Sequence, residues 1–472
     1  METKLKLFKL ITIISLITVI SLLSFIGVFR NKLNFKENII PEFKYGMELA
    51  GNREFKFTLD TTAEEKKVYI DENGDYKGTV VEENSDAEAN ISLDDVVEKD
   101  SVAKEETKNL PYKTESKTVK ANDDAVLNKE SYEKTKTIIQ KRLEAEQIPE
   151  YNLRLNTITG DLVLEVPSDE YTDKAYNLAS AQGKFEIIDA DTGVILLDNS
   201  HLKKAQALYT ANDAFQTYLQ IEFTDEGAEI LKNISKEYIE TTDESGTTTQ
   251  KKVELKLDNS TLLSTYFGEE LPNGVLQITM GTPTSDHKEF TESYNSAKEF
   301  ADIINNGKAP NKIVLNSDNF IQSQITHEVI LYAEIAFAIC VLIVSVILII
   351  KYKIQGLLAA ISAVGYIAML LLVMRYTNVV ITLNSVLALI VMIIVNYVFL
   401  FSFLSMKKSD ASKHAFSKSI KKMALSTIPL WVIAVVFTFM AHVVISSAGI
   451  VIFWGLCILY LHNLCITKTL FV

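Results

Sequence analysis

Cysteine is nearly absent. Three occur in 472 residues, Cys340, Cys457 and Cys465, all in the apolar C-terminal third. With none in the large polar region, a disulfide framework or Cys-based metal site is not expected there. No G-x-x-x-x-G-K-[ST] loop is present, so ATP is not this chain's own fuel. No Ser, His and Asp arrangement points to nucleophilic catalysis. His442 and His462 lack a second ligand at i+3 or i+4, so no metal is expected. The chain therefore reads as no enzyme, with no cofactor. Clustered Lys and Arg are missing from its middle. Residues 31–327 carry about 33 basic and about 56 acidic side chains, a balance of about −23, within a total of −13. That acidity excludes nucleic acid as a partner, because phosphate binding needs basic clusters.

What the chain does have is apolar runs at both ends. LFKLITIISLITVISLLSFIGVF (7–29) is long enough to span a bilayer core. No A-x-A site follows it, so it reads as an uncleaved anchor. Five more spans are expected at 329–350, 355–374, 379–405, 423–445 and 448–468. Lys4, Lys6 and Lys9 precede the first. Lys351 and Lys353 lie between the second and third, and Lys407, Lys408, Lys413, Lys418, Lys421 and Lys422 between the fourth and fifth. The short loops RYTN (375–378) and SSAG (446–449) are nearly uncharged. The positive-inside rule then puts both termini in the cytoplasm and a domain of nearly 300 residues outside.

Residues 61–125 are rich in Glu, Asp, Lys, Thr and Asn and poor in aromatics, which predicts a flexible acidic insertion. Order is expected to resume at Leu127. LNKESYEKTKTIIQKRLEAEQI places Tyr132, Ile138, Ile139 and Leu143 on one helical face. LRLNTITGDLVLEVP reads as a hairpin, YTDKAYNLASAQG as a helix ending at Gly183, and KFEIIDADTGVILLD as two strands. That succession is the ferredoxin-like order. The expected fold is α+β: six transmembrane helices in a one-plus-five pattern, with a large ferredoxin-like extracytoplasmic domain. Its expected divisions are 1–30 (cytoplasmic end and first span), 31–60 (start of the base), 61–125 (insertion), 126–197 (base), 198–286 (head lobe), 287–327 (return to the base) and 328–472 (five spans).

Gly46-Met47-Glu48-Leu49-Ala50-Gly51 follows the first span, and the chain here resembles the SecD/SecF family of preprotein-translocase subunits, its SecD branch above all, in the resistance-nodulation-division (RND) superfamily. That family has a Gly-x-Asp-Leu-x-Gly-Gly turn at this place. Lys141-Arg142-Leu143, Leu162-Val163-Leu164-Glu165-Val166-Pro167, Ile221-Glu222-Phe223-Thr224-Asp225-Glu226-Gly227 and Asn306-Gly307-Lys308-Ala309-Pro310 resemble later family segments in the same order. On residue chemistry, Gly46, Gly51, Gly307 and Pro310 are turn positions, and Glu48 suits capping of backbone donors. One departure is large. The family's fourth span carries Asp-Ala-Asn, whose Asp takes part in proton movement. Here Asn396 remains but Ile394 occupies the Asp position. The fifth span, STIPLWVIAVVFTFM, lacks the family's Asp-x-Asn-x-Thr-Thr.

The intramembrane polar candidates are Glu334, Arg375, Asn384 and Asn396. A carboxylate inside a bilayer costs about 2.5–3.5 kcal/mol, so Glu334 stands out. Asn384 and Asn396, about three turns apart, are expected on a similar face. The resemblance implies an accessory subunit of Sec-dependent export in a bacterial cytoplasmic membrane. Its partners would be a SecF-type subunit, the SecY/SecE/SecG channel and unfolded preproteins, and the head lobe would move against the base to grip them. The alternatives are half of an RND-type exporter of small molecules or lipids, or a homologue without proton coupling.

Overall fold

The computed structural model describes residues 2–32, 35–38, 40–81, 112–211, 214–239, 241–242, 248–249, 251–258, 260–323, 325, 327–377, 379–409, 415–440 and 442–471. Six helices are long and apolar enough to cross a membrane: Phe8–Phe25, Glu328–Tyr352, Ile354–Tyr376, Leu383–Lys408, Ala415–Thr438 and Val443–Leu470. They are called the first to sixth spans here. The chain is thus a multi-pass membrane protein with one span before its large domain and five after. The fifth helix starts well before residue 423. Its first turns bury Ala415, Ser419 and Met423 at helical spacing while Lys418, Lys421 and Lys422 stay exposed, so a basic run extends the helix instead of ending it. Tyr366, Met392, Leu400, Leu456 and Leu459 are fully buried, which makes the third, fourth and sixth spans the centre of the bundle.

The base of the large domain is one antiparallel sheet. Its spatial order is Ile313–Ile321, Asn52–Leu59, Leu162–Pro167, Asn152–Leu155. Helix Lys129–Ala145 joins the first strand to the second, and Thr172–Ser180 follows the third. Fourth, first, third, second in chain order is the ferredoxin-like arrangement. Local chemistry explains the pieces. Leu162, Leu164 and Val166 alternate inward with no exposure. Asn128 caps its helix by accepting the Ser131 amide at 3.0 Å.

Two sequence expectations are corrected. Phe185–Asp189 and Ile195–Asp198 do not complete the base. They pair with Val253–Leu257 and Ser260–Thr265 in a separate sheet. The fourth base strand is Ile313–Ile321, reached only after the whole head. The head therefore begins near residue 184, and helix His287–Asn305 lies against its second sheet, Leu202–Ala211, Phe215–Phe223 and Val275–Thr284. Alternation identifies a strand but not its partner. Base and head also share one continuous apolar core, from Phe57 and Leu164 through Phe185 to Leu219 and Ile278.

The second correction concerns 61–125. Ala63–Ile70, Tyr76–Thr79 and Lys113–Lys120 form a three-stranded antiparallel sheet. Residues 82–111 of the expected insertion lie outside the described residues. AEEKKVYI and KTESKTVK pair along their full length yet expose nearly all their side chains. Val68 is the one fully buried side chain of Ala63–Ile70, and a strand that buries so little carries no hydrophobic alternation to read.

Arg142 fastens the base internally. It is fully buried, and burial pulls its guanidinium down to about 10. It donates to the carbonyls of Leu178, Ala181, Gln182 at 3.0 Å and Gly307 at 2.7 Å. These lie at the C-terminal ends of helices Thr172–Ser180 and His287–Asn305, where carbonyls have no helical partner.

Candidate functional site

The Gly46–Gly51 turn is the joint between the large domain and the membrane bundle. Lys44–Tyr45 pairs in parallel with Val380–Ile381, between the third and fourth spans. The Gly46 amide continues this pairing to the Ile381 carbonyl at 2.9 Å. A Cβ at Gly46 would sit 2.9 Å from Glu150 Oε2 and 3.1 Å from Thr382 Cγ2, so a side chain here would press on both parts of the protein at once. Met47–Ala50 then makes a single helical turn. Glu150 accepts the Met47 amide at 2.9 Å. Burial pushes the Glu150 carboxyl up, the Met47 amide opposes this, and the nearby Glu48 charge adds to it.

Glu48 reaches across the joint. Its Oε2 accepts the Leu383 amide at 3.2 Å, at the first residue of the fourth-span helix. A carboxylate there satisfies an orphan donor and faces the positive end of the helix dipole. Thr382 and Ser385 complete the cap: the Thr382 amide donates to Ser385 Oγ at 2.8 Å, and the Ser385 amide to Thr382 Oγ1 at 3.2 Å. The domain's first turn thus holds the start of the fourth span. At Gly51, φ 79°, an added Cβ would lie 3.0 Å from the Ile321 carbonyl oxygen at the end of the base sheet. Gly307 and Pro310 lie elsewhere, where the head returns to the base, and Gly307 contributes its carbonyl to Arg142.

The intramembrane candidates separate. Glu334 is exposed, near the end of the second span that adjoins the large domain. Arg375 lies over the Phe43 ring at 4.3 Å. Both act on Tyr45 beside the joint, whose hydroxyl is raised first by burial and then by Glu334, with Arg375 opposing. Asn384 and Asn396 do not share a face: Asn384 is exposed and Asn396 is 1% exposed. Twelve helical positions leave them about 120° apart, since each step turns about 100°.

Asn396 belongs to a buried polar chain. Its Oδ1 accepts from Asn463 Nδ2 at 3.2 Å, and Asn463 Oδ1 accepts from Thr467 Oγ1 at 2.7 Å. Thr467 also meets Ser362 at 2.7 Å and His462 Nδ1 at 3.5 Å. His462 Nε2 is buried without a partner, and the His462 ring lies edge-on to Tyr366. Asn463–Thr467 is a π-turn in the sixth-span helix, a form that often marks functional positions. Sequence reading did not single out Ser362, Tyr366 or Thr467; the i, i+4 pair Asn463 and Thr467 was the available signal. Ile394 is 55% exposed, away from this chain of bonds. The Asn396–Asn463 contact is expected to show a coupling of about 0.6 kcal/mol in a double-mutant cycle with Ala at each position. Additive losses in detergent unfolding would rule out an energetic link. Among the described residues, no group of three or more His, Cys, Asp or Glu is placed to hold a metal.

No protein-family profile matches the chain, and no curated protein matches it in sequence. Solved structures do. The crystal structure of SecDF in its super-membrane-facing form is similar at a TM-score of 0.54 and 14% identity, over 100% of this chain and 57% of that one. A second SecDF crystal structure, described as a translocon-associated membrane protein from Thermus thermophilus, gives a TM-score of 0.45 at 13% identity, over 100% and 59%. This chain thus spans less than two thirds of these two SecDF chains. From its first span to its last, through the ferredoxin-like base, it has a SecDF-like fold.

Proposed function

We propose that this chain is an accessory subunit of Sec-dependent protein export, with the large domain outside a bacterial cytoplasmic membrane and both termini inside. The single observation that supports this is a SecDF-like fold over the entire chain, membrane and outer parts together. The proposed partners are a SecF-type subunit, the SecY/SecE/SecG channel and unfolded preprotein. The Glu48 contact to the fourth span would carry movement between the outer domain and the bundle. The role is one of binding and coupling, without enzymatic chemistry. Depleting the protein is expected to slow release of a secreted reporter; unchanged release would sink the proposal.

Glu334→Gln is expected to restore release as well as the wild type does, because Glu334 is exposed and lies outside the buried polar chain. Failure of that variant would assign coupling to Glu334. A second reading, export assistance without proton coupling, is favoured by one observation. The buried chain from Ser362 to Asn396 consists of hydroxyls, amides and a histidine, with no carboxylate among its described members. A requirement for this protein that persists under a protonophore would select it.

A further inference from the structure

The large domain contains a second cluster of titratable groups, on the domain side of the joint that Glu48 spans. Glu146 caps the C-terminal end of helix Lys129–Ala145, and its side chain has no exposure. Its Oε2 takes Lys174 and, at 3.1 Å, Lys298. Its Oε1 and the Asp302 Oδ2 are both buried, and no donor in the protein serves either. Lys298, which bonds Glu146, and Asp302 stand one turn apart on helix His287–Asn305, so the Asp302 carboxyl is set beside Glu146 and the two groups act on each other. Two buried carboxylates side by side repel even with Lys174 and Lys298 against them, whereas a proton on one lets it donate to the other. The helix dipole adds to this, because its negative end falls at Glu146.

We infer that Glu146 and Asp302 form a proton-binding site that holds one hydron between them and ties three helices of the large domain together. The proton comes from water and returns to it, so loading takes up one hydron and release leaves two carboxylates. The site faces the membrane seam. Glu146 lines a cavity of about 400 Å³ whose other walls include Lys44 and Tyr171 from the domain and Val380, Met440 and Ser447 from the ends of the spans. Two helices supply the charged groups set against the pair. Lys174 comes from helix Thr172–Ser180, and Lys298 and Glu299 from helix His287–Asn305. Burial raises the Glu299 carboxyl, and Asn177 opposes this. Across the cavity, Lys44 is held by the Tyr171 hydroxyl at 2.5 Å and by Glu170 at 3.9 Å.

Desolvation and the Glu146 bond push the Asp302 carboxyl up to about 7, while the lysines and Asp302 hold Glu146 below its ordinary value against its own burial. For Asp302 the folded protein binds the proton more tightly than the unfolded chain. Its contribution to stability is therefore present below its ordinary value of 3.8 and is lost as pH rises to about 7. Glu146 acts with the opposite sign, only at and below the ordinary carboxylate range. The site is independent of what the protein exports.

The test is infrared difference spectroscopy on the full-length protein in nanodiscs, titrated from about pH 5 to about pH 9. A protonated-carboxyl C=O band is expected to vanish near neutrality. Asp302→Asn, which imitates the protonated form and preserves the fold, should abolish it. Glu146→Gln should abolish it too, because Asp302 then meets two ammonium groups and no competing carboxylate. A wild type with no such band, or a band that survives in either folded variant, would overturn the inference.

Discussion

Replacing Arg142 with methionine should destabilise the large domain by about 3 kcal/mol. The side chains are similar in length, so packing is largely kept. What is lost is donation to the four carbonyls of Leu178, Ala181, Gln182 and Gly307. Each buried acceptor left alone costs on the order of 1 kcal/mol or more, and removal of a buried charge returns part of the sum. Arg142→Lys should recover only a fraction, because one ammonium cannot serve carbonyls from two helix ends in the guanidinium's planar fork. Gly183→Ala should act through the same group. At φ 83° the position suits glycine, and an added Cβ would collide with Arg142 Nη2. Chemical unfolding followed by far-UV circular dichroism would measure all three. A change for Arg142→Met within ~0.5 kcal/mol of zero would show that these carbonyls find other donors.

Replacing Gly46 with valine should open the joint and leave the two halves folded. The new side chain has no room between Glu150, Thr382 and Val380. Overpacking of this kind costs about 1–3 kcal/mol. The strain can be relieved by parting Lys44–Tyr45 from Val380–Ile381, a pairing of only two residues on each strand. Amide exchange at Met47 and Leu383 should rise about tenfold or more, since each 1.4 kcal/mol is a factor of ten. Exchange within Leu162–Pro167 should stay unchanged. If export depends on this joint, reporter release should fall to that of depleted cells while the protein remains in the membrane. Unaltered exchange at both amides would mean that the joint tolerates a side chain and that its glycine is incidental.

Much of the membrane part was legible in the sequence. Runs of 18 or more apolar residues can satisfy their backbone in lipid only as helices, so hydropathy alone placed the six spans. The hairpin Asn152–Leu155 and Leu162–Pro167 was equally plain, because the alternation of Leu162, Leu164 and Val166 lies within one short segment. The resemblance at the Gly46 turn marked Gly46, Glu48 and Gly51 but could not say what they touch. Glu48 meets Leu383 across 335 positions, and nothing near either residue signals the other. The exposed ribbon of Ala63–Ile70 with Lys113–Lys120 escaped for a different reason: its stability comes from backbone pairing, and backbone groups are the same in every sequence.

Sequence by itself thus determined most of the elements, the number of spans and the absence of a carboxylate at position 394. These depend on local properties: side-chain polarity, its period, and the length that a bilayer demands. Tertiary structure decided the rest. It closed the base with Ile313–Ile321 instead of Ile195–Asp198, turned Asn384 outward and Asn396 inward, and brought Glu146 and Asp302 together from two helices. Each of these is a choice of partner. Partners are fixed by which faces can be buried at the same time, a condition on the whole chain that no segment contains alone.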